Sequence, residues 1–462
     1  MEPFLNHSGK SANLADFWKW APTSPPSKDF LISGCVIPSS VLIVDLPFVV
    51  MTLADSMQSG TFRDMFQKVY LELCSICQPY KRLDIVADNY GRRNLLKAGT
   101  HKNRGSGTTM VFTIDTLFPK DPRETFFRSS QNKSLFYDLL CDFLLQKFQS
   151  VNNKIVVVTQ KDAVTSVDRI VFMPDSTQIE ADYRLILHVI HALNNDYRYI
   201  SVRCNDTDVV FLLTGFMEKF LSIKDNFILS AWLGNIRGAY GDSRDDWKGK
   251  IISINALSEK LELPKCRGLL MFHAFTGCDY VEAFHGKGKK SWLKAYQKTE
   301  ELWTLFARLS SRPETLVEAD VDIIARFVLK NYKAQATPDH DVAAGRYDLL
   351  VSSKSLKCTA ELPPTRDALE QHVRRSVYVA GYIWGQAAID SPQYPDFLDW
   401  GWYERGGEVY HLWTNNTLDH REPLAALLKS CACVTKKCET CTCAMAGLAC
   451  YHACKCRAQC SR

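Results

Sequence analysis

The chain has 462 residues, of which 46% are hydrophobic and 23% charged, and its formal net charge is +5. This length can form two or three domains with hydrophobic cores, and there is no low-complexity tract or internal repeat. The N-terminus lacks the basic and apolar layout of a signal peptide, and the most apolar run, residues 41–53, contains Asp45 and Pro47. We therefore expect an intracellular protein with no membrane partner. The mild excess of positive charge permits nucleic acid as a partner.

Residues 1–33 are predicted to be a loose leader that ends in the proline- and serine-rich sequence APTSPPSKD. After this leader, apolar β-type runs alternate with helical patterns, which indicates an α/β fold with a mostly parallel sheet. The predicted strands begin with VLIVDLPFVV (residues 41–50) and RLDIVAD (residues 82–88), followed by residues 154–158 and 199–204. The predicted helices cover residues 61–78 and 135–149 and a stretch that begins near Glu180.

Acidic residues mark the ends of these strands and the start of one helix. The seven acids are Asp45, Asp88, Glu180, Asp182, Asp206, Asp208 and Asp279. Because the carboxyl ends of parallel strands lie at one edge of a sheet, we expect most of these side chains to converge. Carboxylates brought together would repel one another unless cations lay between them. The pattern therefore predicts a site for divalent metal ions.

An ordinary explanation exists for each acidic pair. Glu180 lies four residues before Arg184 and at a helix start, where acids are favoured, and Asp206 and Asp208 are common turn residues. The sequence Glu318-Ala319-Asp320-Val321-Asp322 has similar spacing, but no strand with a second acidic pair follows it. We expect that copy to be a solvated helix start.

Two basic segments accompany the acids. The sequence YGRRNLLKAGTHKNRGSG after Asp88 is either a phosphate-binding segment or a solvated helix or loop. The turn FHGKGKK, residues 284–290, combines glycines whose amides can approach a phosphate with three lysines. His273, on the preceding predicted helix, is interpreted as a core histidine. The candidate nucleic-acid-binding residues are Arg92, Arg93, Gly286, Lys287, Gly288, Lys289 and Lys290.

The order of the acids and the glycine-lysine turn together resembles the flap endonuclease superfamily of structure-specific 5′ nucleases, which has a PIN-like core. The sequences HAFTGCDYVEAFHGKGKK, EADYRLILH and NDTDVVFLL are similar to an animal branch built on this core. The resemblance covers about residues 35–300, and that to the animal branch extends through the tail. It implies a PIN-like, mostly parallel sheet flanked by helices, with a helix-hairpin-helix element at about residues 252–298.

The same resemblance implies catalysis with two Mg²⁺ or Mn²⁺ ions. All seven acids correspond to the family's metal-binding positions, and Lys97 and Arg104 fall where the family keeps basic residues for the scissile phosphate. One ion would be held by Asp45, Asp88, Glu180 and Asp182, and the other by Asp206, Asp208 and Asp279, partly through water. Flap endonucleases begin close to the first strand, whereas more than forty residues precede Asp45 here.

Residues 301–428 are predicted to be a mainly helical accessory region with an aromatic-rich end. Its helical patterns cover residues 301–309, 314–332 and 366–386. Its aromatic residues could stack on bases or form a small core, and a core is the commoner use of such side chains. They include Trp384, Trp400, Trp402, Tyr403 and Trp413.

The tail, residues 429–462, is rich in cysteine. Its nine cysteines are Cys431, Cys433, Cys438, Cys441, Cys443, Cys450, Cys454, Cys456 and Cys460. Thiolates this dense in a reducing compartment bind Zn²⁺, and disulfides are the alternative. The spacing is similar to the CXC (tesmin-type) domain, in which nine cysteines share three zinc ions, although only two residues separate Cys438 from Cys441. Thr440 stands near the position of that domain's DNA-contacting tyrosine.

We expect a metal-dependent, structure-specific endonuclease that hydrolyses phosphodiester bonds in structured DNA by a two-metal mechanism. In this interpretation residues 34–300 are the PIN-like core, the zinc tail helps to target the enzyme, and the protein is nuclear. Two alternatives stay open: a non-catalytic nucleic-acid-binding or scaffold protein that retains the fold, and a PIN-type endoribonuclease.

Overall fold

The computed structural model describes most of the chain, and all seven predicted acids are included. The described residues are 5–6, 36–57, 59–90, 96, 108–149, 154–167, 171–234, 250–334, 341–352, 361–414, 442–445 and 454–455. Several predictions fall outside these ranges. They are the leader apart from residues 5–6, the basic residues Arg92, Arg93, Lys97 and Arg104, and the tail cysteines other than Cys443 and Cys454.

A seven-stranded sheet lies at the centre of the described chain. The described strands are β1 (Leu5–Asn6), β2 (Ile37–Asp45), β3 (Tyr80–Val86), β4 (Ile155–Gln160), β5 (Ala163–Ser166), β6 (Tyr199–Cys204), β7 (Ile228–Leu233), β8 (Lys250–Ser253), β9 (Ala283–Phe284), β10 (Trp402–Arg405) and β11 (Glu408–His411). Four of them lie outside the central sheet, in the antiparallel pairs β1 with β9 and β10 with β11. The sheet order is β5-β4-β3-β2-β6-β7-β8. Its five inner strands are parallel and the two edge strands are antiparallel to their neighbours. The predicted α/β class with a mostly parallel sheet is therefore confirmed.

Strand β2 lies in the middle of the sheet because its side chains are apolar towards both faces. Val41 and Ile43 pack into the core on one side, and Leu42 and Val44 pack into the core on the other. Strands of parallel sheets that are buried on both faces have such continuous apolar runs. The run and the strand both end at Asp45.

Helices cover both faces of the sheet. They are α1 (Leu46–Ala54), α2 (Phe62–Ile76), α3 (Ser130–Phe148), α4 (Ala181–Asn194), α5 (Thr207–Gly215), α6 (Met217–Ile223), α7 (Ile254–Leu261), α8 (Leu263–Arg267), α9 (Leu269–Phe275), α10 (Lys289–Tyr296), α11 (Glu300–Ser311), α12 (Glu318–Tyr332), α13 (Val342–Ser352), α14 (Arg366–Val377) and α15 (Thr442–Met445). Helices α1 to α3 share one core with the sheet, and α4, α5 and later helices share the other. The structure therefore places α4, which carries Asp182, on the opposite face from α1.

The accessory region shares its core with the residues before position 300. Leu302, Phe306 and Leu309 of α11 belong to the same apolar cluster as Ile200 and Leu229 of the sheet. Of the five aromatics named above, Trp384 and Trp402 are buried in this cluster, as expected for core residues, and Trp400 and Trp413 are half-buried against it, whereas Tyr403 is exposed. The described part of residues 301–428 is therefore packed as a continuation of the sheet's own core.

The acidic copy at residues 318–322 is only partly solvated. Helix α12 begins there, as predicted, and Asp322 is exposed. Asp320, however, is buried, forms an ion pair with Arg308 and accepts a hydrogen bond of 3.0 Å from the Val317 N–H. The expectation of a fully solvated helix start is wrong at Asp320, because α11 packs beside this end of α12.

Candidate active site

Asp45 ends the central strand and begins the next helix. Its Oδ1 accepts a hydrogen bond from the Phe48 N–H at 3.5 Å, which makes Asp45 the N-cap of α1. Burial first, and the charge of Asp88 second, raise the pKa of Asp45 well above its usual range, and Asp206 adds to this effect. The Phe48 hydrogen bond acts in the opposite direction but does not prevail. Capping alone therefore does not account for the environment of this acid.

Asp88 links the end of β3 to the start of α4. Its Oδ1 accepts from the Ala181 N–H at 2.7 Å, and its Oδ2 accepts from the Tyr90 hydroxyl at 2.7 Å. Glu180 is the N-cap residue of α4 and Asp182 lies in its first turn. The contact from Asp88 to Ala181 therefore brings the acids of α4 to the edge of the sheet where β3 ends.

Asp206 and Asp208 follow β6, the neighbour of β2 in the sheet. Asp206 caps α5 by accepting from the Asp208 N–H at 3.0 Å, and Asp208 Oδ1 accepts from His273 Nε2 at 2.8 Å. The buried thiol of Cys204 lies among these groups: its pKa is raised first by burial and then by the charges of Asp45, Asp182 and Asp206. The structure thus brings acids from β2, α4 and β6 together, as the strand topology predicts.

Asp279 lies in the loop after α9, on the side of Asp208. Burial first, and the charge of Lys289 second, hold the pKa of His273 well below 6.5, while the charges of Asp206 and Asp279 act in the opposite direction. Gly277, two residues before Asp279, has φ +108°, and a Cβ there would lie 2.7 Å from the Ala283 Cα. A glycine is therefore required for this loop to carry Asp279 back to the acids.

The side chains present suit hard divalent cations in their chemistry. The converging donors are carboxylate oxygens, which Mg²⁺ and Mn²⁺ prefer, and the raised pKa of Asp45 marks a negative cluster that added positive charge would relieve. Within the described residues, no group of three or more His, Cys, Asp or Glu side chains is gathered closely enough to ligate one ion as it stands. The donor set fits such ions in type, and the acids lie near one another without forming a closed ligand shell.

The glycine-lysine turn differs from its predicted role at one residue. Lys289 is buried, and its Nζ donates to the His273 carbonyl at 2.9 Å and to Thr276 Oγ1 at 3.0 Å. Burial lowers the pKa of Lys289 to about 8, although the charges of Cys278 and Asp208 oppose this shift. The prediction of a phosphate contact by Lys289 is therefore wrong, because its ammonium group caps carbonyl groups at the end of α9.

The other residues of the turn lie nearer the surface. Gly286 and Gly288 are exposed, with open space where a Cβ would stand. Lys287 is half-buried, donates to the Asn331 carbonyl at 3.2 Å and lies over the Tyr332 ring, whereas Lys290 is exposed. These four residues stay candidates for contact with a nucleic-acid backbone.

Two buried residues support the acids in a way the sequence did not indicate. The guanidinium of Arg184, four residues after Glu180, donates to the Ala87 carbonyl at 3.0 Å and so holds the residue before Asp88. His273 is a buried core histidine, as expected, and in addition bonds Asp208. The helical spacing of Arg184 and the apolar neighbours of His273 gave no signal for these contacts, since both partners are distant in sequence.

In the cysteine-rich tail the structure describes Cys443 and Cys454. Both are buried, and their Sγ atoms lie 3.5 Å apart, well beyond the length of a disulfide bond. Two thiolates on one tetrahedral zinc, each at about 2.3 Å, would be separated by about 3.8 Å. The separation is compatible with a shared zinc ion, and the remaining seven cysteines lie outside the described residues.

Comparison with protein-family models and with curated proteins finds no match to this chain. Among the described helices, none is long and apolar enough to cross a membrane.

Proposed function

We propose that this chain is a metal-dependent nuclease that hydrolyses phosphodiester bonds in structured DNA. The observation that carries the proposal is the convergence of acids from three parallel strands and one helix start around the buried Asp45. An acid whose pKa is raised by burial and then by two neighbouring acids is costly to keep ionised, and such sites are commonly functional. A pair of bound divalent cations would relieve the repulsion among these carboxylates, and this relief would favour metal binding.

The resemblance to flap endonucleases divides the acids into two sets, one for each of two ions. Asp45, Asp88, Glu180 and Asp182 would hold one, and Asp206, Asp208 and Asp279 the other. When bound, the ions would supply a nucleophilic water and stabilise the charge that develops on the phosphate. Tyr90 orients Asp88 and His273 orients Asp208 through the hydrogen bonds described above. Lys97 and Arg104 would contact the scissile phosphate.

The finer fold assignment is part of the proposal. We assign the sheet and its helices to the PIN-like class and residues 252–298 to a helix-hairpin-helix element. Helix α9, the Asp279 loop, the exposed glycines and α10 follow one another in the order that such an element needs. Lys290 and Lys294 are exposed and lie four residues apart on α10, so they share one face, and the exposed Lys298 follows in the turn after the helix. Such a face suits a duplex backbone.

The zinc tail and the location of the protein complete the proposal. The buried pair Cys443 and Cys454 supports a shared zinc, and we propose three Zn²⁺ ions for the nine cysteines. A tail of this kind would help to target the nuclease to DNA in the nucleus.

A non-catalytic nucleic-acid-binding or scaffold protein is the second candidate. One observation favours it: Asp45, Asp88 and Asp206 each accept a hydrogen bond at a helix N-terminus, a structural use that needs no metal. A PIN-type endoribonuclease is the third candidate, and it shares the acids. The burial of Lys289 removes one argument for duplex DNA over RNA.

The test is cleavage of labelled flap, hairpin, single-stranded and RNA substrates with Mg²⁺, Mn²⁺ or EDTA. Asp206→Asn is the informative variant, because asparagine also caps helices and so removes the charge while keeping the fold. The matched control is Asp322→Asn, which replaces an exposed acid of the copy at residues 318–322 that forms an ion pair with Arg366. We expect metal-dependent cleavage that falls about 100-fold or more in Asp206→Asn and is unchanged in Asp322→Asn. Folded protein that binds nucleic acid but cuts nothing with either metal would support the second candidate.

A further inference from the structure

The accessory region contacts the residues that precede α4. Gln178, two residues before Glu180, is fully buried. Its Nε2 donates to the carbonyl oxygens of Ala387 at 3.1 Å and Ile389 at 2.7 Å, and the Gln386 carbonyl lies 3.3 Å away. Because three carbonyl oxygens face this end of the amide, only the amino group can occupy it. Gln178 therefore joins the approach to α4 to a turn more than 200 residues later in the chain.

The backbone on both sides strengthens this connection. The Thr177 N–H donates to the Asp390 carbonyl at 2.9 Å, and the Asn89 N–H donates to the Ile179 carbonyl at 2.6 Å. Residues 177–179 are thus held between the accessory region on one side and the segment after Asp88 on the other. The position of the α4 acids depends on both attachments.

A second contact from the same part of the accessory region acts on Asp208. The His273 ring is stacked between Phe211, with ring centres 4.0 Å apart and planes 10° apart, and Trp384, at 5.2 Å and 20°. A ring held between two others cannot tilt freely, so its Nε2–H stays directed at Asp208 Oδ1. Trp384 therefore limits the orientation of a hydrogen-bond donor to one of the site acids.

The segment that makes both contacts is closely packed. It begins with the π-helical residues Tyr378–Trp384 and continues to Asp390. A Cβ at Gly381 would lie 2.6 Å from the Pro313 Cβ, so the segment lies as close to this neighbour as glycine allows. The Tyr378 hydroxyl also donates to the Pro395 carbonyl at 2.9 Å. A rigid segment that contacts both Gln178 and His273 can fix the distance between the α4 acids and Asp208.

We propose that residues 378–390, here called the clamp segment, set the spacing between the α4 acids and Asp208. Gln178 and Trp384 are accordingly positioning residues of the active site. This inference rests on the nuclease function proposed above. It gives the accessory region a role in the reaction itself, in place of base stacking by its buried tryptophan.

The first pair of variants is Gln178→Glu and Gln393→Glu. The former keeps the side-chain size but turns the donor into a carboxylate facing three carbonyl oxygens. The latter makes the same change on an exposed residue just beyond the clamp segment. Mn²⁺ affinity is measured without substrate by electron paramagnetic resonance, beside cleavage as a function of Mg²⁺ concentration and thermal unfolding. We expect Mn²⁺ binding by Gln178→Glu to weaken about 10-fold or more, as for other groups that orient metal ligands, with Gln393→Glu unchanged.

The second pair is Trp384→Leu and Trp384→Phe. Phenylalanine keeps a ring against His273 and should retain Mn²⁺ affinity within about threefold, whereas leucine should weaken it about 10-fold. A purely structural role would lower the thermal midpoint of both variants without changing the Mn²⁺ affinity of the folded protein. If Gln178→Glu does not fold, Gln178→Met replaces it, since methionine removes the donor without adding charge.

The possible results distinguish a failure of this inference from a failure of the proposed nuclease function. Wild-type protein that neither binds Mn²⁺ nor cleaves any substrate would overturn the proposed function and the inference together. Wild-type protein that binds and cleaves, with folded Gln178 and Trp384 variants that match it, would overturn the inference alone. Weakened Mn²⁺ binding in Gln178→Glu and Trp384→Leu, with both controls intact, would establish the clamp segment as a positioning element.

Discussion

His372 allows a quantitative test of how the accessory region is built into the fold. It lies on α14, is fully buried, and its Nε2 donates to the Phe275 carbonyl at 2.8 Å at the end of α9. Its Nδ1 has no hydrogen-bond partner among the described residues. Burial first, and the charge of Arg375 second, lower the pKa of His372 from 6.5 to about 3, against the effect of the Phe275 hydrogen bond.

The sign of the pH effect follows from where the proton binds. Below pH 6.5 His372 takes up a proton in the unfolded chain, whereas in the folded protein, where its pKa is about 3, it takes up the proton only near pH 3. The stability contributed by neutral His372 is therefore complete above pH 6.5 and is lost as the pH falls towards 3. At about pH 4.5, roughly two units below 6.5, the loss is about 3 kcal/mol, since each unit corresponds to about 1.36 kcal/mol.

The assay is urea unfolding of wild-type protein and His372→Gln at about pH 7 and about pH 4.5. Glutamine keeps an amide donor for the Phe275 carbonyl but does not titrate. Other acids protonate over the same interval in both proteins, so the comparison isolates the histidine. We expect the wild type to lose about 3 kcal/mol more unfolding free energy than the variant between the two pH values. His285→Gln, in a partly exposed turn, is the matched control and should behave as wild type.

Equal losses in wild type and His372→Gln, within about 1 kcal/mol, would refute the reasoning. They would mean that the imidazole can take up a proton in the folded protein. The packing of α14 against α9 would then differ from the arrangement described here.

Asp45→Asn should raise the thermal midpoint in Mg²⁺-free buffer at neutral pH and abolish cleavage. The raised pKa of Asp45 means that this acid costs no stability below pH 3.8, that the cost builds as the pH rises above 3.8, and that asparagine removes it; an unchanged or lower midpoint would contradict this. A chain ending at residue 300 should fail to fold, since it loses buried α11 side chains worth about 1.5–3 kcal/mol each, and a soluble, cooperatively unfolding fragment would show this to be wrong. Lys289→Met should lower the stability of the protein without changing its affinity for duplex DNA, whereas Lys294→Met should lower the affinity without changing the stability. Filter binding at several salt concentrations distinguishes the two variants, and a lower affinity in Lys289→Met would support its predicted phosphate contact.

The fold class and the placing of the acids could be predicted from the sequence. Apolar runs such as the one ending at Asp45 identify buried parallel strands, and parallel strands have their carboxyl ends at one edge. That geometry is sufficient to bring Asp45, Asp88 and Asp206 together. Each step depends on periodicity within about ten residues of chain, which the order of amino acids specifies directly.

The supports of the site required the tertiary structure. The lysine at position 289 has the same sequence context as Lys287 and Lys290, yet it alone is buried beneath the end of α9. Gln178 reaches carbonyl groups over 200 residues away, and the partner of His273 is 65 residues away. Burial and hydrogen bonding of this kind depend on which distant surfaces pack together. Local sequence patterns therefore determine the strands and the acids they carry, whereas long-range packing determines which side chains hold those acids in place.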